Sequence, residues 1–241
     1  MSDVEKLFYT PTGKNDPIEG YLSDEAKKDC KILFVLKEPN SGGYDKPSGE
    51  FWMKRAIDPR NHISKSGKYL RTLGTLAARL LCVKHSSSED NTKLFKDLLR
   101  KCAFINIYPF SGAGKAGERY DSSLLEISKQ VKANSIYKED AILTANDANN
   151  YCMIASNRIQ LIRSIQCKYV VTVCGAFEAI VGKEANACNE GIKIDGKIFR
   201  AEKDPISRRI IAAYYHPGAR HIQHEKMDVS IVTELYNEMN K

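Results

Sequence analysis

Residues Lys31–Gly43 read KILFVLKEPNSGG. Ile32 to Leu36 form an unbroken apolar run behind one basic residue, and the run stops at Lys37-Glu38-Pro39. A run this short and apolar at every position predicts a strand buried on both faces. The residues after it predict a loop, because Pro39 fixes its own φ and Gly42-Gly43 allow a sharp turn. A carboxylate, Glu38, is thus carried at the mouth of a buried strand. That is where an α/β protein presents a reactive group, since loops leaving parallel strands converge on one crevice. Taken alone, the segment also reads as a plain strand followed by a Pro-Gly turn.

Three more apolar runs of the same kind follow. AFINI, Ala103 to Ile107, is closed by Tyr108-Pro109; KYVVTVC, Lys168 to Cys174, runs into Gly175; and Arg209 to Tyr215 leads into the loop HPGARHIQHE. Between them the apolar spacing changes to that of a helix. Leu70, Leu73, Leu76, Ala77, Leu80 and Leu81 recur on one face over Gly67 to Cys82, which predicts an amphipathic helix. Shorter helices are predicted at Ser23 to Lys28, from an Asn91 or Thr92 cap to near Lys101, at Ser122 to Val131, from Gly175 to about Lys183, and at Met227 to Met239. A long helix over Asn146 to Ile165 would bury Ala148, Cys152, Ile159 and Ile162. Alternation about Asp195-Gly196, within Gly191 to Ala201, predicts a hairpin. Strands alternating with helices predict a four-stranded parallel sheet covered on both faces, an α/β fold in three α/β/α layers.

At 241 residues and 42% hydrophobic, the chain supports one sizeable core, so a single domain over residues 1–241 is expected. No apolar run approaches the roughly 20 residues that span a bilayer, and MSDVEKLFYT is polar where a secretory signal is apolar. The expected location is the cytoplasm, or the nucleus in a eukaryote. Seven cysteines contain no CxxC pair, which argues against a disulfide framework and against zinc or iron–sulfur sites. Cys82, Cys102 and Cys174 lie in apolar segments and are expected as small core residues. The net charge of +7 and pI near 8.9 permit attraction to a polyanion without requiring it.

One phosphate-binding motif is ruled out. SGAGKAG, Ser111 to Gly117, has Pro109 where a P-loop needs its first glycine and Ala116 where it needs Ser or Thr. It reads as a loop beside the second strand.

Three short motifs then stand in register with the strands: KEPNSGG after the first, NIYP at the end of the second and HPGAR after the fourth. In this combination the sequence resembles the uracil-DNA glycosylase superfamily. The resemblance implies a uracil-DNA glycosylase-like fold and DNA repair by base excision: a hydrolase that cleaves the N-glycosidic bond of uracil or a related damaged base in DNA. It implies a monomer acting on DNA, away from membranes, with no metal or redox cofactor.

Base excision requires extruding a nucleotide, holding its base by edge and face, and stabilising charge as the base leaves. By resemblance Glu38 orients the attacking water and supports the cationic sugar, and His216 hydrogen-bonds the departing base. Asn106 offers one acceptor and two donors to a uracil edge. Pro39 and Asn40 belong to the same substrate loop. Phe51, thirteen residues beyond Glu38, stands where relatives stack a phenyl ring on the base, with Trp52 or Tyr44 as substitutes. Stacking of that kind contributes ~1–3 kcal/mol. Arg220 stands where relatives fill the vacated duplex, and Gly218, Lys115 and His221 are assigned to the DNA backbone. Leu36 replaces a family glycine, Lys37 is an unusual neighbour for the carboxylate, and Gly218 replaces a family serine. These departures set an alternative expectation, a non-catalytic glycosylase-like protein that binds nucleic acid or a free base.

Overall fold

The computed structural model describes Phe8 and Thr233 and residues 19–36, 52–58, 67–85, 91–107, 158–173, 192–194, 197–199, 201–203 and 210–214. The elements in chain order are β1 (Gly20–Tyr21), α1 (Asp24–Lys28), β2 (Ile32–Leu36), α2 (Trp52–Ile57), α3 (Gly67–Leu80), α4 (Thr92–Leu99), β3 (Cys102–Asn106), β4 (Tyr169–Val173), β5 (Ile192–Ile194), β6 (Lys197–Phe199), β7 (Ala201–Lys203) and β8 (Ile210–Tyr214). Residues 158–164 are also helical.

All four apolar runs are strands, and β2, β3 and β4 are buried at every position. β2 pairs parallel with β4 in the register Ile32↔Tyr169, and β4 pairs parallel with β8 as Tyr169↔Ile210. The sheet extends beyond the four expected strands. Its order is β1-β3-β2-β4-β8-β7, and β7 lies antiparallel to β8, so the protein is a mixed α/β chain with a mixed sheet. The additions were hidden for a physical reason: GY and AEK are too short and too polar to stand out as apolar runs. The hairpin is present, with β5 and β6 antiparallel and Ile194 opposite Lys197 across Asp195-Gly196.

The helices follow their caps. Ser23 takes an extended N-cap conformation, and its hydroxyl accepts from the backbone N–H of Ala26 at 3.2 Å. Asn91 precedes α4 without a side-chain capping bond. α3 ends two residues short of the expected Cys82. There the N–H of Val83 donates to Ala78 O (2.8 Å) and that of Cys82 to Arg79 O (3.1 Å), the paired bonds of a Schellman ending. Cys82 holds the left-handed position of that motif, with φ 56°, and is exposed rather than part of the core. Cys102 is buried as expected.

The chain falls into two compact units. The first takes Met1–Gly20, Leu36–Trp52 and Ile105–Ile165; the second takes Tyr21–Val35, Met53–Phe104 and Gln166–Lys241. In the second, Leu73, Leu76 and Ala77 of α3 are fully buried, and α3 approaches α4 closely because residue 74 is glycine. Phe34 and Phe104 stack in the core of this unit, ring centres 4.9 Å apart. In the first, Gly20 has φ +118°, and a Cβ there would lie 2.8 Å from the ring of Phe8. Only glycine meets both conditions, so it fixes the path of the chain one residue after Glu19.

Candidate functional site

Three of the buried strands are almost wholly apolar, which makes their polar residues informative. Thr172 in β4 is 1% exposed and donates its hydroxyl to Ala212 O at 2.9 Å, so its burial is compensated. Asn106 closes β3 at 5% exposure, and its carboxamide oxygen Oδ1 is buried with no hydrogen-bond partner among the described residues. An unpaired buried acceptor costs roughly 1–3 kcal/mol. Such an unsatisfied group is uncommon in a folded protein.

The backbone of Asn106, by contrast, is held from both sides. Its N–H donates to Glu19 Oε2 at 3.0 Å. Its carbonyl accepts from both Nε and Nη2 of Arg158, each at 3.1 Å. Arg158 Nη2 also pairs with Glu19 Oε1, which closes the triangle. Both charged side chains are essentially inaccessible, at 1% exposure each. The guanidinium fork is what allows one side chain to serve carbonyl and carboxylate together. The arrangement therefore fixes the main chain of one asparagine tightly, while its buried side-chain oxygen has no hydrogen-bond partner among the described residues.

The sequence singled out Asn106 as a candidate base-reading residue and did not single out Glu19 or Arg158, which hold its backbone. Arg158 heads an apolar stripe of Leu161, Ile162 and Ile165, all buried, at positions i, i+3, i+4 and i+7. An arginine on that stripe was the available signal, because a charge on a buried helix face needs a buried partner. Ile159, expected inside, is half-buried. Glu19 gave no comparable signal. The other assigned residues, Glu38, Pro39, Asn40, Phe51, Lys115, His216, Gly218, Arg220 and His221, lie outside the described residues.

A separate cleft of about 460 Å3 sits in the second unit at the start of β3, lined among others by Tyr21, Ser23, Lys27, Lys54, Asp58 and Arg100. Its charges are of both signs, and Lys27 pairs with Asp24 at 3.3 Å. Nearby, burial holds the Cys102 thiol well above its usual pKa, and Cys30 and Cys167 push it the same way. Among the described residues no three His, Cys, Asp or Glu side chains are grouped to hold a metal ion, and no helix is long and apolar enough to cross a membrane.

Compared with protein-family models and with curated proteins, the sequence matches none.

Proposed function

We propose that this chain is a DNA base-excision glycosylase that hydrolyses the N-glycosidic bond of uracil or a related damaged base. The observation that carries the reading is the buried, unpartnered Oδ1 of Asn106 on a backbone held by Glu19 and Arg158. A uracil edge brings a ring N–H, which is the donor that this acceptor lacks. Amide oxygen and ring N–H then satisfy each other, and a base without that N–H leaves the oxygen unpaired.

The rest of the reading comes from the resemblance of the strand-end motifs. In the reaction, a water oxygen bonds to the sugar C1′ as the C1′–N bond breaks, and the electron pair leaves with the base. Glu38 takes the role of orienting that water and balancing the positive sugar. His216 donates to the base as negative charge develops on it. Phe51 supplies the stacking face, and Arg220 holds the DNA. A core of four parallel strands in three layers, as in uracil-DNA glycosylases, is part of the same proposal. The parallel pairing of β2, β4 and β8 supports it, because Glu38 and His216 each follow the last residue of such a strand by two positions.

The test is release of free base from uracil-containing oligonucleotides, single- and double-stranded, read as strand scission after alkali. Release is expected, and Glu38→Gln and Asn106→Ala should each reduce it by about 100-fold. Strands that stay intact with the unmodified protein overturn catalysis on uracil. A second reading, binding without cleavage, is favoured by Leu36: it occupies the family's glycine position and is buried within β2. Salt-sensitive DNA binding without turnover would select it.

A further inference from the structure

We infer that Glu19 and Arg158 are positioning residues: together they set the direction of the Asn106 carboxamide by fixing both backbone polar groups of that residue. The inference rests on reading Asn106 as the base-recognising side chain and adds two residues, neither carried by a sequence motif, that act through it. The geometry is specific. Glu19 Oε2 takes the N–H at 3.0 Å, and two nitrogens of Arg158 take the carbonyl oxygen at 3.1 Å each. The carboxylate and guanidinium also bind each other, so neither can turn without releasing Asn106. The peptide that follows Asn106 is also tied by the Ile107 N–H to Leu36 O at 2.9 Å, so Glu19 and Arg158 complete the restraint on its two peptide planes and thereby on the direction of its Cα–Cβ bond. Their part of the restraint comes from Gly20-anchored chain on one side and the helical stretch at residues 158–164 on the other.

A purely architectural ion pair is the competing account, and it differs in what it leaves unchanged. It would stabilise the protein without affecting where the Asn106 amide points once the chain is folded. Glu19→Gln keeps the shape and an acceptor for the Asn106 N–H and removes the charge that grips Arg158. Arg158→Lys keeps a positive charge for Glu19 and loses the fork that makes two bonds to one carbonyl.

The experiment follows the Asn106 side-chain amide by nuclear magnetic resonance in the full-length 15N-labelled protein, with the signal assigned by its absence in Asn106→Ala. In the unmodified protein one sharp pair of amide signals is expected. Glu19→Gln and Arg158→Lys should broaden or split that pair, whereas Leu76→Ala, a core change in α3, should lower the melting temperature and leave it unaltered. Signals at their original positions and widths in both variants overturn the inference. So does equal disturbance by Leu76→Ala. Titration with free uracil then tests the underlying reading separately. If uracil shifts the Asn106 amide, the variants should bind it at least tenfold more weakly, and unchanged affinity in either overturns the positioning role. If uracil shifts nothing, base recognition fails, and the ligand-free signals still decide whether the pair orients the side chain. Should one variant not fold, the other carries the test.

Discussion

Arg158 donates from both Nε and Nη2 to the carbonyl oxygen of Asn106, each bond 3.1 Å long, across 52 residues of chain. The same guanidinium neutralises Glu19 in a space that water does not reach. Such a pair is sensitive to losing one member, because the survivor is then a buried charge that has lost its ionic partner. Arg158→Met is expected to destabilise the protein by about 3–5 kcal/mol, and Glu19→Leu combined with Arg158→Met by clearly less than the sum of the single changes. Urea unfolding of the four proteins checks this, and additive effects would show that the two groups do not depend on each other.

The closeness of α3 to α4 depends on a missing methyl group. A Cβ at residue 74 would lie 2.9 Å from Cδ1 of Phe95 and closer still to its Cβ and Cγ. Gly74→Ala gains roughly 1 kcal/mol in helix propensity and should still lower stability by about 1–3 kcal/mol, since the overlap is with a ring and its own Cβ. Phe95→Leu placed in the same chain should recover part of the loss. A rise in melting temperature for the single variant would contradict the packing described.

Alkaline pH should weaken the fold through Cys102. Burial and the neighbouring Cys30 and Cys167 raise its folded pKa above the value of about 8.5 for a free thiol. The unfolded chain therefore releases this proton at a pH where the folded chain keeps it. Stability is full below about pH 8.5 and falls as pH rises toward the folded pKa, with a slope of up to about 1.4 kcal/mol per pH unit from this group. Cys102→Ala should flatten that slope in urea titrations between pH 8 and pH 10. Alkylation should mark the exposed Cys82 in the native protein and Cys102 only after denaturant is added.

Cys82 offers a stabilising change. It stands at φ 56°, in the position of the α3 ending that glycine normally occupies. Cys82→Gly relieves the contact between Cβ and backbone at the expense of some chain entropy, for a net gain of about 0.5–1 kcal/mol. Thermal unfolding reads it directly, and a lower melting temperature would mean that the thiol contributes something the ending does not require.

The core strands were legible because they follow local rules. ILFVL and YVVTV have no amphipathic reading, so they had to be buried on both faces, and the leucine spacing of α3 admits only a helix. The left-handed ending at Cys82 was not legible, because cysteine carries no turn signal of the kind glycine does. AEK and GY became strands through their neighbours, β8 and β3, and not through their own composition. For the site, NIYP drew attention to Asn106, but the ion pair around it joins residues 139 positions apart. Glu19 read by itself is one acidic residue among thirty. Pairing over that distance is a property of the closed chain, and no window of sequence contains it.

Glu19 reaches Asn106 over 87 positions and Arg158 reaches it over 52, so each side of the grip requires closing a very large loop. Loops of this length close only when distant parts of the chain have come together. A half-folded or clipped chain can thus carry the asparagine and its strand and still present a slack, misdirected amide. The direction of that amide is in this way tied to completion of the fold.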